Sequence, residues 1–137
     1  MAPDRVRSRK VAPALKVLLD SSFLIAVMER PTPWREDITD KVGGFQALVI
    51  RPVYDELVRL SGSKNRASRY ASLAKEMVDR GEIGLQEPTG HGMADDELIS
   101  LALDEGALVA TLDGELIRQL KAVHVRVVTL SGGRASI

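Results

Sequence analysis

With 137 residues, 45% of them apolar, the chain is long enough for one α/β domain with its own core. It has no cysteine, which excludes a disulfide scaffold and a thiolate zinc site. Nineteen Lys and Arg balance nineteen Asp and Glu, so the net charge is zero and any surface for a polyanion must be local.

The chain opens on Arg5, Arg7, Arg9 and Lys10, a basic arm over residues 1–14 that reads as a phosphate contact or as a solubilising tail. No apolar run long enough for a signal peptide or a membrane span follows it, so the sequence predicts a soluble, cytoplasmic protein with no membrane partner. LKVLL (15–19) reads as a buried strand. SSFLIAVM (21–28) reads as a helix whose capping oxygens come from the Asp20–Ser21–Ser22 turn, and Pro31 and Pro33 break it. A short helix over 34–42 ends at Gly43–Gly44, and ALVI (47–50) is the second strand. Pro52 suits the first turn of a helix over 53–60.

Gly62 and Ser63 interrupt that helix, and a longer one over 64–80 has apolar residues at offsets of three, four and seven. IGLQ (83–86) is a third strand, 94–105 a helix, ALVA (107–110) a fourth strand and 115–120 a short helix. VHVRVVTL (123–130) is the last strand, and 131–137 reads as a frayed tail. Strands alternating with helical patterns predict βαβ units around a parallel sheet of about five strands, in a domain spanning 15–130.

The acids carry the chemistry. Asp20 ends the first strand, Glu56 lies in the helix after the second, Asp95 and Asp96 open the helix before the fourth, and Asp113 follows the fourth. In an open parallel sheet ligands bind beyond the carboxyl ends of the strands, where all of these positions fall. Asp95 precedes Leu98, Ile99 and Ala102 by three, four and seven residues, so it is the first choice as ligand and Asp96 the second. Each acid also has a plain reading: Asp20 and Asp113 as helix caps, Glu56 as a solvated helix residue, Asp95 and Asp96 as first-turn acids. Two carboxylates about 4 Å apart repel by roughly 4 kcal/mol at an effective dielectric near 20. A gathered set therefore calls for protons or a hard cation, such as magnesium or manganese, one or two ions. A pair of such ions about 3.5–4 Å apart suits phosphodiester cleavage.

VLLDSSFLI, VYDELVRL, ADDELISLAL and VATLDGELIRQLK, in this order, resemble the PIN-domain ribonuclease family over roughly residues 15–130. The resemblance implies a three-layer α/β/α sandwich and cleavage of single-stranded or flexible RNA by metal-activated water, leaving a 3′-hydroxyl and a 5′-phosphate. By position, Asp20, Glu56, Asp95 and Asp113 match the family's four acids, with the last two 18 residues apart. Ser22 and Thr111 match small polar positions that can hold a carboxylate or a bound water. ADDELI and ATLDGELIRQL look more like archaeal and eukaryotic PIN proteins of small-subunit rRNA processing than like VapC toxins. The alternatives are a toxin of a toxin–antitoxin pair and a non-catalytic scaffold binding RNA or protein. The corresponding partners are RNA, an antitoxin or a ribosome-assembly factor, and a second copy in a homodimer.

Other residues read as follows. Arg59, Lys64, Arg66 and Arg69 around Gly62 are candidate RNA contacts or a solvated face. Trp34 reads as a core plug or subunit contact before a base-stacking platform. His91 is a loop residue and His124 a structural or edge residue of the last strand, and neither has metal-ligand spacing to another histidine. The DSSFL turn lacks the second aspartate of a dehalogenase-type phosphatase, and it lacks the glycines of a dinucleotide-binding turn. The acidic pair and lysine of a phosphoacceptor receiver are also missing.

Overall fold

Consecutive aliphatic residues in a strand signal burial on both faces, and the first strand shows it. The computed structural model describes residues 15–87, 90 and 92–137, so the basic arm and His91 lie outside the described residues. Strand β1 (Leu15–Leu19) buries Val17, Leu18 and Leu19 completely. Helix α1 (Ser21–Glu29) follows directly, then α2 (Trp34–Val42), β2 (Phe45–Ile50) and α3 (Arg51–Ser61). The chain continues through α4 (Ala67–Asp79), β3 (Gly84–Gln86), α5 (Ala94–Glu105), β4 (Leu108–Ala110), α6 (Gly114–Ala122), β5 (Val127–Ser131) and β6 (Arg134–Ser136). No helix among the described residues is long and apolar enough to cross a membrane.

The six strands form one sheet in the order β3-β2-β1-β4-β5-β6, parallel except for β6. Helices α1, α3 and α4 pack together, while α5 packs on β1, β2 and β4 and touches α6, giving the expected three layers. The chain winds outward from β1 to β2 and β3, then returns through α5 to β4 on the other side of β1. The direction of winding therefore reverses between β1 and β4, and a crevice opens beyond their carboxyl ends. Register Leu19↔Ala110 and the hydrogen bond from Asp20 N to Ala110 O, 2.9 Å, fix that junction. The core is aliphatic apart from one aromatic chain, in which the Trp34 ring lies 6.1 Å from Phe23 and 6.5 Å from Phe45.

Two expectations at the C-terminal end are corrected. Residues 123–126 are not strand. After α6 the chain turns through His124 at φ +64°, with Val125 N–H donating to Leu120 O at 3.0 Å and His124 N–H to Lys121 O at 3.1 Å. This is a Schellman turn, with buried Val125 seated by buried Leu120. The left-handed position usually holds glycine, because a Cβ there costs about 1 kcal/mol. Alternating Val123, Val125 and Val127 imitate a strand and mask this stop.

Nor is the tail frayed: β6 pairs with β5 at Leu130↔Ala135 and makes a sixth strand. Asp37 of α2, 4% exposed, accepts from Arg134 Nε at 2.9 and 3.1 Å, from Arg134 Nη2, and from Ala135 N at 2.8 Å. Hydrogen bonding from Arg134 holds the Asp37 carboxyl below the usual value of 3.8, against the upward push of burial and with help from Ala135 N–H. A carboxyl depressed in the folded state stabilises the fold above its unfolded pKa, and that contribution is lost as pH falls through the folded value. Asp37→Asn is therefore expected to be less stable than the parent at pH 7, with the gap closing as pH falls below 3.8. Urea denaturation at both ends of that range reads it. A gap that stays constant with pH would mean that Asp37 is not held ionised.

Candidate functional site

The crevice between β1 and β4 receives side chains from four segments. Asp20 leaves the end of β1 and is 8% exposed. Its backbone is extended (φ −84°, ψ 155°) and its carboxylate makes no cap to α1, unlike the capping role considered from sequence. Oδ2 instead accepts two hydroxyls, Ser22 Oγ and Thr111 Oγ1, each at 2.7 Å. These hydroxyls lie 3.2 Å apart and accept in turn, Ser22 Oγ from Leu112 N at 3.0 Å and Thr111 Oγ1 from Asp113 N at 3.1 Å. The first acid is thereby tied to the loop that carries the last. Asp113 does act as a helix cap: its Oδ1 accepts Leu116 N–H at 2.9 Å at the start of α6.

Glu56 stands on the first half of α3, which Pro52 starts. Its Oε1 accepts Ser21 Oγ at 3.0 Å, and Arg59 Nη2 stands 3.6 Å from its Oε2. Ser21 and Ser22 thus serve different acids. Ser21 is a buried residue that the sequence offered only as a member of the capping turn, although it precedes buried Leu24 by three residues on the same side of α1.

Asp95 and Asp96 begin α5 and are exposed as residues. The Asp95 carboxyl is nevertheless pushed above 3.8, first by partial desolvation and then by Asp20, Asp113, Asp96 and Glu56. The largest of those charge effects come from Asp20 and Asp113, so Asp95 senses the acids gathered from the other segments. The next residue, Glu97, is fully buried and was also passed over; it precedes Leu101 by four residues, on the buried stripe of α5.

The donor set is all oxygen, from carboxylates and hydroxyls, which suits a hard divalent cation in kind. Among the described residues, no three His, Asp or Glu side chains are gathered into a ready-made metal cage. Two cavities of 510 and 410 Å³ lie away from the acids.

The candidate RNA contacts are mostly engaged elsewhere. Arg59 faces Glu56, Arg66 pairs with Glu29 at 3.1 Å, and Arg69 lies over the Tyr70 ring at 5.9 Å. Lys64 is exposed without an ion-pair partner among the described residues. Trp34 is 6% exposed, so its ring serves the core and offers no face to a base.

The fold has relatives among solved structures. The PIN domain endonuclease Utp24 superposes with a TM-score of 0.73 at 16% identity, over 88% of this chain and 90% of that one. VapBC-1 from nontypeable Haemophilus influenzae gives 0.59 at 11% identity, over 82% and 96%. A PilT N-terminus domain protein from the hyperthermophilic archaeon Sulfolobus solfataricus gives 0.52 at 15%, over 84% and 87%. No curated protein sequence matches the chain. A family model described as "PIN like domain" matches residues 17–133, from the first fully buried residue of β1 to the turn before β6. With that span and this sheet order, the chain belongs to the PIN-like domain family.

Proposed function

We propose that the protein is a magnesium- or manganese-dependent endoribonuclease with Asp20, Glu56, Asp95 and Asp113 as its metal-holding acids. The reading is supported by the hydroxyl network that ties Asp20 to the Asp113 loop, and by the upward push that Asp20, Asp113 and Glu56 add to burial at the Asp95 carboxyl. Such repulsion costs folding free energy, and a scaffold that only binds gains nothing from it. A divalent cation bound there would polarise the phosphodiester and make a water more acidic.

The chain's own groups divide the work. Ser22 and Thr111 hold Oδ2 of Asp20, leaving Oδ1 for a cation. The cap on α6 uses Oδ1 of Asp113 and leaves Oδ2, and Ser21 holds Oε1 of Glu56 and leaves Oε2. Asp20 and Asp113 are thus each fixed by one oxygen and available by the other, while Oε2 of Glu56 faces Arg59. Arg59, beside Oε2, is placed to turn from Glu56 to a substrate phosphate. The Ser22 and Thr111 hydroxyls orient Asp20, and the route proposed is hydrolysis by water without a covalent intermediate. Asp96 is the reserve ligand beside Asp95.

Within ribonucleases, ADDELI and ATLDGELIRQL support processing of ribosomal RNA over a toxin–antitoxin role. The test is cleavage of unstructured RNA and of rRNA-precursor fragments with magnesium, manganese or EDTA. Cleavage that persists in EDTA would overturn the metal assignment. Thr111→Val removes one donor to Asp20 and strands Asp113 N–H. It is expected to lower cleavage about 10–100-fold and stability by about 1–3 kcal/mol. Parent-like rates in Thr111→Val would mean that the network does not set Asp20.

A further inference from the structure

The edge of the sheet opposite the acids carries a second feature. Leu15 begins β1, Ala107 and Arg126 precede β4 and β5, and there two adjoining cavities share His124, Val125 and Arg126. One, of 510 Å³, is lined by Lys121, His124 and Arg126 with the hydroxyl residues Thr129 and Ser136; the other, of 300 Å³, reaches Leu15. Neither lining includes a carboxylate side chain. Among the described residues Lys121, His124 and Arg126 make no ion pair, whereas Arg51, Arg66, Arg118 and Arg134 each hold a carboxylate. In a chain of zero net charge, a groove whose charged side chains are all basic is a local exception.

His124 supplies an independent sign. Among the described residues it is the only non-glycine with positive φ, at the turn position where glycine fits best. A side chain retained against backbone preference points to use of the side chain.

We propose that this groove binds the phosphates of a single-stranded RNA backbone, with Lys121, His124 and Arg126 as donors, apart from the carboxylate crevice. Lys121 and Arg126 supply two positive charges, with Arg126 bordering both cavities, and the Thr129 and Ser136 hydroxyls suit phosphate oxygens. RNA as the carrier rests on the function proposed above; the groove itself uses none of the acids.

The experiment is fluorescence anisotropy of a short labelled unstructured RNA with the full chain in EDTA, which suppresses cleavage. Lys121→Glu/Arg126→Glu is expected to weaken binding at least about tenfold and to flatten the salt dependence by about 0.7 per lost phosphate contact. His124→Gly is expected to raise the thermal midpoint while weakening RNA binding, two effects of opposite sign that a purely structural turn would not give. Parent-like RNA binding in the double variant, or in His124→Gly, overturns the proposal, as does tighter or equal binding of polyglutamate by the parent. Cleavage with manganese is scored separately. A protein that binds RNA through the groove and never cuts it overturns the nuclease reading and leaves the groove standing.

Discussion

Replacing Asp20 by asparagine is expected to lower metal-dependent RNA cleavage at least about a hundredfold while leaving the fold in place. The amide matches the carboxylate in shape and can still accept the Ser22 and Thr111 hydroxyls through its carbonyl oxygen. What changes is the oxygen that faces the crevice, which becomes a neutral NH₂ donor and repels a cation. The same substitution removes the first charge acting on Asp95, so two of the four acids change at once. Circular dichroism should match the parent, and manganese titration should show weakened binding. Cleavage at the parent rate by a folded Asp20→Asn protein would remove this acid from the mechanism and, with it, the site.

The largest loss of stability is expected from Phe23→Ala. Phe23 is fully buried, and its ring meets Trp34 edge-on at 6.1 Å. Deleting a buried aromatic ring costs about 3–5 kcal/mol, a large part of the roughly 5–15 kcal/mol that holds a domain together. The thermal midpoint should fall by about 10 °C or more. Because Phe23 follows Ser22 on α1, activity should disappear along with the folded fraction, and Phe23→Leu should recover much of both. A midpoint within about 2 °C of the parent would mean that the aromatic chain through Trp34 and Phe45 is not a keystone of the core.

Much of this architecture is legible in the sequence, for identifiable reasons. LKVLL and ALVI are uninterrupted aliphatic runs, and only burial on both faces favours such runs in a strand. Trp34–Val42 is bounded by Pro33 and Gly43, so its limits can be read directly. The placing of Asp20, Asp95 and Asp113 at helix starts, and of Glu56 on the helix after β2, follows from the order of elements. What escapes is set by contacts distant in sequence. The β6 strand depends on Asp37, about a hundred residues upstream, accepting Arg134 and Ala135 N–H. Ser21 acquires its role only because α3 brings Glu56 beside it. The stop at His124 is hidden because the valines around it alternate as a strand would. For Asp20, sequence alone leaves a helix cap and a site residue open; the hydroxyls of Ser22 and Thr111 take it away from the cap.

The antiparallel β6 also governs how the molecule meets its neighbours. It covers the flank of β5, so among the described residues the sheet ends on one side in three residues that include exposed Arg134, and on the other in the three residues of β3. Borders this short offer little template for strand addition by another chain, and charge beside them discourages it further. Self-association, where it occurs, should therefore proceed through helices and loops, and the folded protein should resist the edge-to-edge polymerisation to which open sheets are prone.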